Sequence, residues 1–316
     1  MKKISIVVPV YNEDGNIQFL YDRVSKVMKK LSGKYNYELI FTDNHSDDKS
    51  PIILNNLAER DKKVRVIRFS RNFGYQNSIL AGHLFSTGDA VVQLDCDLQD
   101  PPEIIPRFIE KWEQGFQVVY GIRKNRKESW FVNILRKFFY RLIDLLSEDK
   151  LPHDAGDFGL VDRRIVDELR KIYDASPYLR GLITNLGFRQ TGIPYSREER
   201  KRGKTKFNIR KMIELAMDGI VSHSVVPLKI ATYMGFLVMI ITVLLSIHFA
   251  YQRYFGTHIW PEGFAQTTIL ILLGIGLNAI FLGAIGEYIA RIYLQVKRKP
   301  IVVVEKMINV PRKGNL

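Results

Sequence analysis

Residues 90–103 read AVVQLDCDLQDPPE: an apolar run of strand length, two carboxylates one residue apart, then a proline pair. Pro101-Pro102 is a helix-start signal, so the stretch predicts a strand over 90–95 and a helix near 102–114. Working outward, further strand-length apolar runs lie at 4–10 (ISIVVPV), 37–42 (YELIFT), 64–69 (VRVIRF) and 117–122 (QVVYGI). Helix-like segments fall near 14–31, 48–60 and 75–86, the first with Asp14 as its start signal. This alternation predicts an α/β domain with a mostly parallel sheet covered on both faces. Ligands of such sheets bind beyond the carboxyl ends of the strands. Those ends carry the polar clusters Tyr11-Asn12-Glu13, Asp43-Asn44, Ser70-Arg71-Asn72 and Asp95-Cys96-Asp97.

On a regular strand Asp95 and Asp97 would point to opposite faces. Where the backbone turns at a strand end, both can reach one divalent cation, directly or through water. Few ligands, all of them oxygen, suit Mg²⁺ or Mn²⁺ shared with a substrate diphosphate. A solvated turn is the alternative for this pattern taken alone. No G-x-G-x-x-G follows the first strand and no G-x-x-x-x-G-K-[ST] occurs, so a dinucleotide enzyme and a P-loop nucleotidase lose their main support. With 46% apolar and 25% charged residues, a disordered chain is excluded. The single cysteine, Cys96, excludes an internal disulfide framework and a cysteine-built zinc site, and the six histidines show no metal-ligand spacing.

Lys and Arg number 47 against 33 Asp and Glu, a net charge of +14 that points to an anionic partner. Residues 230–250 and 267–286 contain no Asp, Glu, Lys or Arg. Each is long enough to cross a hydrocarbon core of roughly 30 Å as a helix. The opening MKKISIVVPVYNED does not read as a signal peptide, because its short apolar stretch ends in Asn12, Glu13 and Asp14. The link 251–266 carries only Arg253 and Glu262, whereas 197–211 hold eight Lys or Arg and 294–316 hold six. The positive-inside bias puts both ends in the cytoplasm. The expected layout is a cytoplasmic head over 1–228, a two-helix transmembrane hairpin over 229–293 and a basic cytoplasmic tail over 294–316. Anionic membrane lipids account for the basic flanks without nucleic acid. Residues 129–146 and 206–220, apolar and aromatic with basic residues interspersed, are candidate helices in the membrane interface, with ordinary core packing as the alternative. Glu287 and Arg291, four apart, can pair on one helix face.

IVVPVYNED at 6–14, Asp43, SRNFG at 70–74, STGD at 86–89 and DCDLQDPPE at 95–103 together resemble glycosyltransferase family 2. More narrowly the chain looks like the polyprenyl-phosphate glycosyltransferases, including bactoprenol glucosyltransferases and dolichol-phosphate-mannose synthases. The resemblance implies a GT-A (Rossmann-like) fold, a UDP-sugar donor, a polyprenyl (undecaprenyl) phosphate acceptor and a homo-oligomer at the inner membrane. It implies that Pro9, Tyr11, Glu13, Asp43, Arg71 and Asp95 bind the nucleotide sugar, and that Asp95 and Asp97 serve the metal, Mg²⁺ or Mn²⁺. In kind the residues agree, since Asp43 at a strand tip can accept a hydrogen bond from a base N–H. The family often has Asp-Asp-Gly-Ser where this chain has Asp43-Asn44-His45-Ser46.

DAGDFGLVDR at 154–163 matches the family's acceptor-side Gly-Asp-Phe motif, which implies Asp157 as catalytic base. A phosphate monoester has its second pKa near roughly 6, so an orienting role for Asp157 stays open. Capping the following helix beside Asp162 is a structural alternative, and Asp154 is the nearest competitor. Related sequences often have Arg where this chain has Gly159. Residues 200–207, RKRGKTKF, fit the family's Arg-x-x-Gly-x-Ser/Thr-Lys-aromatic pattern. Arg200, Arg202 and Lys206, with Arg123 and Arg126, are candidates for the donor diphosphate and the lipid phosphate. Other readings are a processive polysaccharide synthase and a non-catalytic membrane scaffold. The first would carry Gln-x-x-Arg-Trp, which precedes none of Trp112, Trp130 and Trp260.

Overall fold

The computed structural model describes residues 1–124, 155–197 and 263–311, with scattered positions between 233 and 255. All five expected strands form. β1 (Lys2–Val10), β2 (Tyr35–Asp43), β3 (Val64–Phe69) and β4 (Ala90–Gln93) lie parallel in the order β4-β1-β2-β3. Covered on both faces, they read as continuous apolar runs. In β1 this buries Ile4, Ile6, Val7, Val8 and Val10.

Helices α1 (Ile17–Lys30), α2 (Ser50–Arg60), α3 (Tyr75–Phe85) and α4 (Ile105–Glu113) follow these strands in turn. α4 shows why they dock: it buries Ile105, Phe108, Ile109 and Trp112, a single apolar stripe. On one face of the sheet the core gathers Leu20 and Val24 of α1, Leu54 of α2 and Phe108 of α4. The other face takes Ile79 and Leu80 of α3, Ile165 of α5 (Arg163–Leu169) and Leu179 of α6 (Leu179–Asn185). The helix starts differ from the expectation. Asp14 does not cap α1, because a turn comes first in which the Asn16 N–H donates to the Glu13 carbonyl at 2.9 Å. Pro101-Pro102 leads into a short 3₁₀ turn, Pro102–Ile104, that runs on into α4.

The sheet is mixed rather than mostly parallel. Its eight strands run β7-β5-β6-β4-β1-β2-β3-β8. β6 (Ala155–Asp162) lies antiparallel between β4 and β5 (Val118–Lys124), and β7 (Gln190–Ser196) pairs parallel with β5. The strand signal of β6 is masked by its glycines and aspartates, which strands disfavour. Gly159 is there for close approach: a Cβ on it would stand 2.7 Å from the Val119 carbonyl oxygen.

At the other edge β8 (Val304–Ile308) pairs antiparallel with β3. The Ser70 N–H donates to the Val303 carbonyl at 2.9 Å, and the Asn309 amide to the carbonyls of Ala58 and Val64 at 2.6 and 2.9 Å. The sequence reading gave this part of the basic tail no element. The residues from Arg298 onward belong to the same compact unit as the head, and α7 (Gly263–Val296) belongs to a second.

Among the described residues one helix is long and apolar enough to cross a membrane, over Leu273–Val296 with mean hydropathy 1.5. It extends past the expected span 267–286 and takes in Glu287 and Arg291, which pair at 3.4 Å. Of the first expected span, 230–250, only scattered positions between 233 and 248 are described, and these are helical. The proposed interface helices, 129–146 and 206–220, lie wholly outside them.

Within the sheet, toward the N-terminal end of β2 and away from the strand ends that carry the polar clusters, sits a buried carboxylate. Glu38 accepts hydrogen bonds from Ser5 Oγ at 2.5 Å, Thr87 N at 2.7 Å and Thr87 Oγ1 at 2.8 Å, and pairs with Lys3 at 2.6 Å and with Arg65. Its desolvation is offset by these five contacts. Glu38→Ala leaves the largely buried Arg65 without its partner, so a loss of about 3–5 kcal/mol is expected in denaturant unfolding. Glu38→Gln, which retains acceptor and shape, is expected to lose less.

Candidate functional site

The site is assembled where strands end. β4 stops at Gln93, the backbone turns at Cys96-Asp97, and Leu98 takes a left-handed conformation with φ 60°. This is the bend that a shared-cation reading of Asp95 and Asp97 requires. In the antiparallel register Gln93 faces Gly159. Two residues further on, Asp95 on one chain segment and Asp157 on the other come onto the same side of the sheet.

Asp95 accepts a hydrogen bond from the Tyr75 hydroxyl at 2.7 Å. Burial, with the carboxylates of Asp100, Asp157 and Asp97 nearby, outweighs that bond and pushes its carboxyl up to about 7. Asp100, fully buried, accepts from the Tyr195 hydroxyl at 2.6 Å and faces Arg197 at 3.4 Å and Arg123 at 3.8 Å. Arg197 also stands 3.8 Å from Asp97. Asp157 is paired with Arg180 at 2.8 Å. It does not cap a helix: Asp162 does, accepting from the Arg164 N–H at 2.9 Å at the start of α5.

These residues fit a divalent cation. Among the described residues no group of three Asp, Glu, His or Cys side chains forms a protein cage. Asp95 and Asp97 would therefore hold the ion with oxygens only, leaving its other positions to phosphate and water. The burial that raises the Asp95 carboxyl, with the carboxylates around it, is what the charge of such an ion would offset.

A second cluster forms around Asp43 at the end of β2. One of its oxygens accepts from the Ser46 N–H at 2.9 Å and the other pairs with Arg68 of β3. Arg68 Nε in turn meets Glu305 of β8 at 3.1 Å. Asn44, where the family often has a second acid, does other work. Its amide donates to Asn72 Oδ1 at 2.9 Å and its oxygen accepts from the Phe73 N–H at 2.8 Å, fixing the SRNFG loop. Asn12, at φ 57°, donates its N–H to Ser46 Oγ at 3.0 Å, and Glu13 accepts from the Asn16 amide at 2.6 Å. Pro9 closes the same strand end, and Tyr11 is exposed there.

Arg71 is exposed and its guanidinium lies 4.2 Å from the centre of the Phe73 ring. Arg123 joins the carboxylates, with Nε 3.4 Å from the Tyr195 hydroxyl. Arg126, Asp154, Arg200, Arg202 and Lys206 lie outside the described residues. Sequence reasoning missed Tyr75, Asp100, Tyr195, Arg197, Arg180, Arg68 and Glu305. Asp100 lay within the decisive DLQDPPE stretch and Arg197 within the basic flank, so both had a signal. Arg180 and Glu305 had none, since their partners are brought to them by the fold.

The family model described as "Glycosyl transferase family 2" matches residues 5–170. "Uncharacterized glycosyltransferase YkcC" of Bacillus subtilis (strain 168) is 42% identical over 98% of this chain and 95% of its own. A "Bactoprenol glucosyl transferase" of Shigella phage SfX is 36% identical over 94% of this chain and 97% of its own. Among solved structures, a mannosyltransferase from Pyrobaculum calidifontis in complex with GDP-Man and Mn²⁺ matches 89% of this chain and 87% of its own. At 17% identity and a TM-score of 0.46 that likeness is too distant to bear on chemistry.

A carboxyl raised from its ordinary 3.8 to about 7 holds its proton more tightly folded than unfolded. The stability it confers is present below the ordinary value and is lost as pH rises to about 7. Thermal melting in EDTA is therefore expected to show a contribution that declines across that window. Asp95→Asn is expected to abolish the decline and to melt higher than the parent above pH 7.

Proposed function

The chain belongs to glycosyl transferase family 2, and from that premise we propose that it transfers a hexose from a UDP-sugar to a polyprenyl phosphate. The reaction proceeds with inversion at the cytoplasmic face of the inner membrane, and glucose is the sugar that the bactoprenol relatives suggest. The observation that carries the reading is the proximity of Asp95 and Asp157 just beyond the end of the β4–β6 pairing, beside the Asp97 turn. Donor diphosphate and acceptor are thereby brought to one point by two strand ends.

The roles follow from the geometry. The carboxylate of Asp43 is held still by Ser46 and Arg68, so a uracil N–H can bond to a fixed acceptor. Asp95 and Asp97 would hold Mg²⁺ or Mn²⁺, which when bound supplies positive charge to the leaving diphosphate. Arg123 and Arg197, aligned on Asp100, present cationic nitrogens toward the same region. Asp157 orients the acceptor phosphate or takes its residual proton, and Arg180 offsets the repulsion between carboxylate and phosphate. The acceptor's lipid tail requires the site to lie close to the membrane. Two spans, the interface helices and the cations Arg200, Arg202 and Lys206 complete this proposal.

Full-length protein with undecaprenyl phosphate, Mn²⁺ and radiolabelled UDP-glucose is expected to label solvent-extractable lipid, and EDTA to abolish the label. Labelling that persists in EDTA would sink the metal assignment, and labelling from another UDP-sugar alone would replace glucose. Asp157→Asn is expected to lower turnover about 10²–10⁴-fold. Its UDP affinity, read by calorimetry, should stay within about twofold of the parent; equal loss of UDP binding would remove Asp157 from the acceptor side.

A further inference from the structure

One layer below Asp95 and Asp157, on the same face of the sheet, is a cavity of about 60 Å³. That is well above the roughly 10–15 Å³ that one water molecule needs. Its walls include Gln93, Gly159, His83, Arg180, Asp157 and Tyr120. Gln93 and Gly159 face each other across the β4–β6 pairing, and both border the space.

Gln93 is only 4% exposed, yet among the described residues neither its amide nitrogen nor its amide oxygen has a hydrogen-bond partner. Buried carboxamides are almost always satisfied, so one with both ends unpaired beside a cavity marks a place for a ligand or ordered water. Arg180 adds a second unpaired buried donor, its Nε–H, while another of its nitrogens holds Asp157. His83 is paired to the Ile79 carbonyl through Nδ1 at 2.9 Å, which places the proton there and leaves Nε2 an acceptor. Burial keeps this imidazole neutral, its pKa pushed down to about 4.

The polar lining thus mixes donors and acceptors beside the ring of Tyr120 and the side chain of Leu179. An anion would meet the Asp157 carboxylate, and a cation the Arg180 guanidinium. An apolar group would leave Gln93 unsatisfied. A neutral hydroxyl, which both donates and accepts, matches the lining, and Asp157 places it next to the proposed point of transfer. We propose that this cavity is a specificity pocket that takes a hydroxyl-bearing substituent of the transferred sugar, read by the Gln93 carboxamide. The inference rests on the reading of the chain as a UDP-sugar transferase. A site built to bond a hydroxyl rejects analogues that lack it far more strongly than an apolar pocket can.

The test is calorimetric titration of the full-length protein with Mn²⁺, using UDP, UDP-glucose, UDP-galactose, UDP-xylose and UDP-N-acetylglucosamine. The parent is expected to bind one of these sugars at least tenfold more tightly than the worst. Gln93→Leu is expected to compress that spread to about threefold, with the Kd for UDP unchanged. Its Tm should hold or rise, because an unsatisfied buried amide has been removed. A spread preserved in Gln93→Leu, or a parent that shows no spread, overturns the pocket. So does a fall in Tm with the spread preserved, which would assign the amide to structural water. If Gln93→Leu does not fold, Gln93→Asn, which withdraws the amide from the cavity, is judged by the same spread. Failure of the parent to bind UDP overturns both readings. Binding without transfer to undecaprenyl phosphate sinks the polyprenyl-phosphate acceptor alone, and the spread still decides the pocket.

Discussion

Four carboxylates, Asp95, Asp97, Asp100 and Asp157, are gathered at one end of the sheet, and their mutual repulsion in a poorly solvated place governs what surrounds them. Like charges brought together out of water either neutralise or find cations. The chain supplies Arg123 and Arg197 to Asp100, Arg180 to Asp157, and the Tyr75 and Tyr195 hydroxyls as donors. Among the described residues Asp95 has only a tyrosine hydroxyl, and its carboxyl rises toward neutrality. That unrelieved burial is what the proposed divalent ion would offset.

The gathering depends on β6. Were β5 to follow β4 directly in a parallel sheet, the segment carrying Asp157 would have no place beside Asp95. Inserted antiparallel between them, β6 sets Asp157 against the end of β4 and Gly159 against Gln93. One strand therefore fixes both Asp157 and a wall of the cavity beside it. A comparable dependence exists at the opposite edge. β8 covers β3 and brings Glu305 to Arg68, which holds Asp43. Charged residues on β8 also suit an edge strand, which must not invite pairing by another chain. The proposed nucleoside pocket is thus braced by residues that follow the apolar helix in sequence.

Much of this was legible beforehand. The parallel strands showed as apolar runs because burial on both faces removes the need for alternation. The helices between them showed by composition and prolines. Asp43, Asp95 and Asp97 stood out because polar residues clustered where those runs ended. β6 was hidden because Gly156, Asp157 and Gly159 serve close approach and charge placement rather than strand propensity. β8 was hidden because its five residues carry Glu305 and Lys306 in a basic tail, so its composition pointed to solvent and lipid. The pairing partners of Asp157 and Asp43 could not be read at all, since ion pairs formed by folding leave no periodic trace.

By itself, then, the sequence determined the parallel core, the polar strand ends, the apolar segments and the membership of the chain in its family. Those features are local, set by hydrophobic periodicity and by residue chemistry within a few positions. Tertiary structure alone decided the mixed sheet, the approach of Asp95 to Asp157, the Glu305–Arg68–Asp43 chain and the cavity beside Gln93. Each of these is a contact between segments far apart in sequence. Strand register, which shifts every side chain to the opposite face when it slips by one residue, is what fixes them.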